Sequence, residues 1–360
     1  MQDKKIYFVA GARPQFIKLA PVLLAMKAYP NLTSELIHTG QHYDSNLSDD
    51  FFKELKIDQP IINLQCGSGS AYYQFSYIIE KLGAFLEINK PDMLVVVGDT
   101  NSTAAAAITA RLMRIKLAHI EAGLREFDLS IPEEINKVIT DRVADIYFCP
   151  SETAVRNLRE EKITGKIVKS GDPGLDLLFN HPIDLFFEQK ILDQYQLRSD
   201  RFYFATIHRQ INTENKENLE KILTALTALD HPLLISLHPR TRKAIADFNL
   251  TVFYENPNIT FIEPISFWAT QALIKHAKKV ITDSGGIIKE CYFHNTFVII
   301  VDQQTEWVEV IQEGKGMIAG ADILLIKEAL KKSISSDYPN TSFGNGKSAF
   351  LIADTLSTNI

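Results

Sequence analysis

The 360-residue chain has only three cysteines, Cys66, Cys149 and Cys291, far apart in sequence. So sparse and odd a set excludes a disulfide framework and offers no zinc-ligand spacing. The three are read as small buried hydrophobes in a reducing compartment. Long apolar runs are missing too. Nowhere do about eighteen apolar residues follow one another, as a membrane-spanning helix needs. The apolar run after the N-terminal lysines, Ile6 to Gly11, is too short for a signal peptide. A cytoplasmic protein with no membrane partner is expected. There is no excess of positive charge either: 38 Lys and Arg face 44 Asp and Glu, a formal net charge of −6. Nucleic acid is therefore not an expected partner, because it needs a broad basic face. An anionic ligand would have to be met by local N–H groups, Arg and His.

Nucleotide fingerprints are also lacking. "GARPQF" does not have the glycine spacing of a dinucleotide site, so no nicotinamide cofactor, and no other cofactor, is expected. "GNGKS" (344–348) imitates the end of a P-loop, but Thr341 stands where the earlier glycine should be and no strand precedes it. It reads as a turn starting the last helix. No close-spaced histidine or carboxylate set suggests a metal.

What is present is alternation. Short apolar, β-branched runs read as strands at Ile6–Ala10, Glu35–Thr39, Met93–Gly98, Leu117–Ile120 and Ile146–Cys149. Further runs follow at Phe202–Ile207, Leu233–Leu237, Ile259–Ile262, Lys279–Thr282 and Thr296–Val301. Helical patterns lie between them, among them Pro21–Tyr29, Tyr72–Leu86, Thr103–Arg114, Glu133–Val143 and Leu219–Leu229. Continuous apolar strands alternating with helices mean an α/β protein with parallel sheets covered on both faces. The strand-poor stretch 171–200, with Pro173 and Pro182, places a domain boundary. Two doubly wound, Rossmann-like domains are expected, 1–170 and 171–345, with the active site in a cleft between them.

Open parallel sheets bind ligands beyond the carboxyl ends of their strands, and polar residues collect there in this chain. Gly11, Arg13 and Lys18 follow the first strand, Asp99 in "GDTNST" the third, His119 and Glu121 the fourth. His208 and Arg209 follow "TI", His238 follows "SL", and "TDSGG" supplies Ser284, Gly285 and Gly286 before a helix. Taken singly, each has a plain structural reading. Ser284 would serve as a helix N-cap, and Glu133 and Glu134 would complement a helix dipole after Pro132. Together they point to an anion at the glycine turn. The same reading makes Asp99, Glu121 and Glu133 a carboxylate cluster suited to proton transfer, with His208 opposite. Glu126 and Asp128 read as loop charges.

The ordered set "GARPQFIKLAP", "TGQH", "GDTNST", "HIEAGLR", "PEEIN", "TDRVAD", "TIHR", "TDSGG" and "TEWVE" resembles the non-hydrolysing UDP-N-acetylglucosamine 2-epimerase family over nearly the whole chain. The resemblance implies a glycosyltransferase-B-type fold whose final helix, 346–360, crosses back onto the first domain. It implies a UDP-sugar substrate, elimination of UDP across C1–C2 to a glycal, and re-addition with the proton on the other face. It assigns catalysis to Asp99, Glu121, Glu133 and His208. It gives substrate binding to Arg13, Lys18, Arg209, His238, Ser284, Gly285, Gly286 and Glu290, and implies a homodimer serving surface-polysaccharide synthesis. A glycosyltransferase of the same fold, a hydrolysing epimerase and a nucleotide-sugar sensor are the competing readings.

Several departures refine it. Trp307 in "TEWVE" stands where the common family pattern has Arg, and Thr270 where a phenylalanine is frequent. Tyr43-Asp44 after "TGQH" differs from members activated by a second UDP-sugar. "GARPQFIK", "LHPRTR" and "DQQTEWVE" look closer to the branch acting on UDP-2,3-diacetamido-2,3-dideoxyglucuronate, for which Arg240 and Arg242 would supply charge.

Overall fold

The computed structural model describes residues 4–41, 52–53, 55–180, 182–334 and 341–360. The Tyr43-Asp44 loop lies outside them. Two compact units emerge: Met1–His181 together with Thr341–Ile360, and Pro182–Asn340.

In the first unit the strands are β1 (Lys4–Ala10), β2 (Leu32–His38), β3 (Ile62–Asn63), β4 (Met93–Val97), β5 (Lys116–Ile120), β6 (Ile146–Cys149) and β7 (Lys166–Lys169). They form one sheet in the order β3-β2-β1-β4-β5-β6-β7, every neighbour parallel. The central strand β4, "MLVVV", is buried along its whole length, as a strand covered by helices on both faces must be. The helices are α1 (Arg13–Met26), α2 (Ala71–Ile88), α3 (Asn101–Leu112), α4 (Pro132–Val143), α5 (Glu152–Glu160) and α6 (Pro173–Asn180). Helix α3 carries four consecutive alanines, Ala104 to Ala107, all fully buried. Small side chains let it lie close to its neighbours, and the Thr100 hydroxyl caps it by accepting from the Thr103 N–H.

Three details depart from expectation. Helix α1 begins at Arg13 and keeps Pro21 inside, instead of starting there. Pro14 fits the first turn, where its missing N–H costs nothing. Strands β3, β7 and β13 were not anticipated; each is short and lies at or next to a sheet edge. The first unit also reaches past residue 170, because the chain between Asp172 and Asn180 is tied to the C-terminal segment. The Asp172 N–H donates to the Phe343 carbonyl at 2.8 Å. The Ala349 N–H, at the start of the last helix α15 (Ser348–Thr358), donates to Asp176 Oδ2 at 2.6 Å.

The second unit repeats the plan with β8 (Tyr203–Thr206), β9 (Leu233–Ser236), β10 (Ile259–Ile262), β11 (Lys279–Thr282), β12 (Val298–Ile300) and β13 (Gly316–Ile318). Their order is β10-β9-β8-β11-β12-β13, again all parallel. Its helices are α7 (Leu185–Gln194), α8 (Gln210–Thr213), α9 (Lys216–Leu226), α10 (Pro239–Asp247), α11 (Phe267–His276), α12 (Gly285–His294), α13 (Val308–Gln312) and α14 (Ile323–Ala329). One face is packed by Leu219, Ile222, Leu223, Ile235, Ile281 and Ile299. Each such side chain stabilises the unit by about 1.5–3 kcal/mol on burial. All three cysteines are free and buried. Among the described residues no helix is long and apolar enough to cross a membrane, and no group of three or more His, Cys, Asp or Glu could hold a metal.

Candidate active site

In both sheets the strand order reverses at one point, between β1 and β4 in the first unit and between β8 and β11 in the second. The carboxyl ends of strands at such a switch point leave a crevice for a ligand. The polar residues singled out in the sequence gather at these two places.

In the first unit the end of β1 meets the end of β4 through Gln15. Its Oε1 accepts the N–H groups of Gly11 at 2.8 Å and Ala12 at 3.1 Å, while Nε2 donates to the Val97 carbonyl at 2.7 Å and to Thr103 Oγ1 at 2.9 Å. Gly11 has no room for a side chain: a Cβ there would stand 2.1 Å from Ser102 Oγ and 2.2 Å from Thr39 Oγ1. Arg13, at the start of α1, is half-buried.

Beyond β4, Gly98 turns the chain with φ +66° and delivers Asp99. Beyond β5, Glu121 adopts φ +70°, a left-handed conformation that costs a non-glycine residue energy. Its carboxylate is paired with Lys18 from α1, with side-chain exposures of 6% and 20%. A Cβ on Gly98 would lie 3.3 Å from Glu121 Oε2 and 3.9 Å from Lys18 Nζ, so the Gly98–Asp99 turn stands beside this pair. Asn136 on α4 donates to the Asp99 carbonyl at 2.9 Å. Glu133, exposed in the first turn of α4, precedes Asn136 by one turn and so shares its side of the helix.

Glu134 and Glu126 are structural. Buried Glu134 accepts the N–H groups of Glu126 at 2.9 Å and Phe127 at 3.0 Å and pairs with Lys137 at 3.1 Å. Glu126 is buried on Lys137, 3.5 Å away, and is not a solvated loop charge. Beneath the site lies a buried network of His119, Asp141, Arg125 and Glu161. His119 Nδ1 is 2.7 Å from Asp141 Oδ1 and its Nε2 is 2.9 Å from the Gly98 carbonyl.

In the second unit Asp283, after β11, organises the loop after β8. Its carboxylate accepts the N–H groups of His208 (2.9 Å) and Arg209 (2.9 Å) and the Asn212 amide (2.9 Å). His208 is half-exposed, its ring centroid 5.5 Å from that of His238. His238 is fixed as the N-cap of α10, Nδ1 accepting the Arg240 N–H at 3.2 Å. Arg240 donates to the His208 carbonyl at 3.1 Å, and Arg242 pairs with exposed Glu263.

Ser284 stands at the N-cap position of α12, but its hydroxyl makes no capping hydrogen bond. Helix N-terminal N–H groups therefore open at Gly285 and Gly286. Arg209 Nη2 is 3.9 Å, and Trp307 Nε1 3.2 Å, from where a Gly285 Cβ would be. Arg209 is held there by Asp302 at 2.8 Å. Glu290 is half-buried further along α12. An N-terminus flanked by a guanidinium is chemically suited to phosphate.

Sequence reading missed Gln15, Asn136 and Asp141, and named Asp283 only as a strand-end residue. All four lie inside the quoted motifs, but which members of those motifs turn inward is decided by tertiary packing. Trp307, expected to line the site, is 1% exposed with the Lys289 ammonium 4.6 Å from its ring centroid.

A family model described as UDP-N-acetylglucosamine 2-epimerase matches residues 24–357. A UDP-N-acetylglucosamine 2-epimerase homolog of Methanococcus maripaludis is 40% identical over 356 residues, 98% of this chain and 99% of its own. The UDP-2,3-diacetamido-2,3-dideoxy-D-glucuronate 2-epimerase of Pseudomonas aeruginosa is 35% identical, with 98% and 99% covered. The Methanocaldococcus jannaschii UDP-GlcNAc 2-epimerase, solved in complex with UDP-GlcNAc and UDP, superposes with a TM-score of 0.90 at 34% identity. That match spans 99% of this chain and 100% of the other.

Proposed function

The chain belongs to the UDP-N-acetylglucosamine 2-epimerase family, and from that membership we propose that it inverts C2 of a UDP-2-acetamido sugar without net hydrolysis. One carboxylate takes the C2 proton while the C1–O bond to UDP breaks, leaving a glycal. A second acid returns a proton to the opposite face of C2, and UDP re-forms the bond to C1. The step needs a base, an acid and a stabilised leaving group.

The observation that carries this reading is the meeting of the Asp99 turn with the Lys18–Glu121 pair at the switch point of the first sheet. Asp99, Glu121 and Glu133 are the proton carriers, and His208 assists them. Departing UDP is taken by the N–H groups at Gly285 and Gly286, the Ser284 hydroxyl, Arg209 and Arg13, with Glu290 on the ribose and His238 close by. Lys18, which the resemblance gives to the diphosphate, pairs with Glu121, and its part in this scheme is to hold that carboxylate in position. Domain roles follow: the three proton-carrying carboxylates belong to the first unit, and the nucleotide-binding groups other than Arg13 belong to the second.

UDP-GlcNAc is the substrate we favour, since the family model is described by that sugar. A relative called a UDP-N-acetylglucosamine 2-epimerase homolog is also 40% identical, against 35% for the diacetamido-uronate relative. The second sugar remains the comparison. Incubating pure protein with UDP-GlcNAc alone in deuterated water should place deuterium at C2 of both epimers. Fully protiated product at C2, or free UDP accumulating with sugar, overturns the mechanism. No reaction without an acceptor would point to glycosyl transfer. The ratio of kcat/KM for the two sugars decides between them.

A homodimer fits the apolar residues left exposed on the neighbouring helices α2, α3 and α4, among them Tyr73, Ile88, Leu112 and Ile135. Light scattering with chromatography tests it. The free, buried thiols suit a reducing compartment such as the cytoplasm.

A further inference from the structure

The buried network beneath the Gly98 turn has no part in the scheme above, yet its protonation can be read from its partners. His119 is 0% exposed. Its Nε2 faces the Gly98 carbonyl at 2.9 Å, and a carbonyl only accepts, so Nε2 carries a hydrogen. Its Nδ1 faces Asp141 Oδ1 at 2.7 Å. The other oxygen of Asp141 accepts Arg125 Nη1 at 2.7 Å and the Gly123 N–H at 3.1 Å.

Asp141 Oδ2 thus accepts from a guanidinium and a backbone N–H, as an ionised carboxylate does. An ionised carboxylate only accepts, so Nδ1, 2.7 Å from Oδ1, carries a hydrogen too. The far edge of Arg125 grips Glu161 through two bonds, at 2.6 and 3.0 Å. Two cations and two anions then balance, which is what makes a fully buried imidazolium affordable. Other titratable groups sense the same charge. Burial first, and Asp141 second, push the Tyr147 hydroxyl up to about 12 and the Cys149 thiol higher still.

The network also joins three left-handed residues, Gly98 (φ +66°), Glu121 (φ +70°) and Gly123 (φ +82°). Of the three only Glu121 is strained, and such backbone persists only where its surroundings over-determine it. Donation from Nε2 fixes the Gly98 carbonyl, immediately before Asp99. Asp141 fixes the Gly123 N–H, two residues after Glu121. A rigid ring with a donor on each side suits two acceptors on opposite sides, which a neutral histidine cannot serve at once.

We propose that His119 is a positioning residue, held as a buried imidazolium, that sets the Asp99 turn and, through Asp141, the Glu121 bend in the geometry proton transfer requires. This rests on the roles given above to Asp99 and Glu121. The protonation claim is tested without turnover. Full-length protein labelled with 15N-histidine is compared with the His119→Gln variant to assign the ring among nine histidines.

In the folded protein both ring nitrogens of His119 should carry hydrogens, as its two acceptors require, and in Asp141→Asn one of them should lose its hydrogen. A neutral ring in the unsubstituted protein overturns the proposal. Kinetically, His119→Gln should lower kcat tenfold or more with UDP affinity, by calorimetry, within twofold. Unchanged kcat, or UDP affinity falling in step with kcat, overturns the positioning role. Should His119→Gln fail to fold, Asp141→Asn is read by the same split and the same two refutations, with the ring assigned by elimination against other single-histidine variants. A protein inert on every UDP-sugar would sink the proposed activity, while the ring's protonation would still be decided by the spectrum.

Discussion

Replacing Asp283 with alanine tests how the second half-site is built. The buried Asp283 carboxylate accepts the backbone N–H groups of His208 and Arg209 and the side-chain amide of Asn212. Alanine leaves two backbone donors without an acceptor, at about 1–3 kcal/mol for each unsatisfied group. His208 and Arg209 are half-exposed, so water reaches them and the low end applies. Asn212 keeps its bond to the Val301 carbonyl at 2.8 Å and adds little. The sum is about 2 kcal/mol. Asparagine keeps one oxygen for Arg209, Asn212 and, at 3.0 Å, the shared His208 N–H. Only the second acceptor of that N–H goes, so the loss should be about half as large or less. The chain's two tryptophans, Trp268 and Trp307, both lie in the second unit. Urea unfolding followed by tryptophan fluorescence therefore reports on the right unit. UDP affinity should fall about tenfold in the alanine variant, equivalent to 1.4 kcal/mol, as the Arg209 loop loosens. A stability loss under about 0.5 kcal/mol, or equal losses for Ala and Asn, would refute the reasoning.

Three further outcomes are expected. Burial lifts the Asp176 carboxyl to about 6, so the folded chain binds a proton the unfolded chain has released, and stability is lost as pH rises from about 4 through 6. Asp176→Asn should therefore be more stable than the unsubstituted protein by up to about 2 kcal/mol at pH 7.5 and no more stable at pH 4; a melting difference independent of pH refutes this. Lys18→Met should lower kcat roughly tenfold or more, about 1.4 kcal/mol, with UDP affinity nearly unchanged; the reverse pattern would return Lys18 to the diphosphate. Trp307→Arg should destabilise by about 2 kcal/mol or more by placing a second cation beside buried Lys289, and Lys289→Glu should relieve it; additivity of the pair within about 0.5 kcal/mol would count against that coupling.

Much of the fold was legible because its central strands are continuous apolar runs. "MLVVV" is buried at every position and could be little else. What escaped were elements whose sequence is too short or mixed to signal anything. "KIVK" at the sheet edge carries a lysine at each end, and Ile62–Asn63 is only two residues long. Helix α1 was misplaced because Pro21 looks like a start, while the true start at Arg13, with Pro14 in the first turn, comes three residues after the end of the strand.

The site divides in the same way. Residues at strand ends were readable, since their position follows from strand periodicity. Which of two adjacent glutamates turns inward was not: Glu133 is exposed and Glu134 buried, set by a helix phase that a loop boundary decides. The partner of His119 lies 22 positions away on α4, a pairing that no local pattern reveals.

Trp307 shows why a departure from a family's pattern has to be weighed with its surroundings. Read alone, an indole in place of a guanidinium removes positive charge near a dianionic ligand, and that suggests a substrate bringing unusual groups of its own. In the folded unit the indole is buried under Lys289, whose ammonium stands 4.6 Å from the ring. A positive charge is therefore present beside the indole, where a cation and an aromatic face attract each other by about 1–2 kcal/mol when desolvated. Arg240 and Arg242, the groups set aside for an extra carboxylate, are already engaged with the His208 carbonyl and Glu263. Neither half of the case for an acidic sugar then stands on these residues, and the simpler UDP-2-acetamido sugar becomes the substrate to try first.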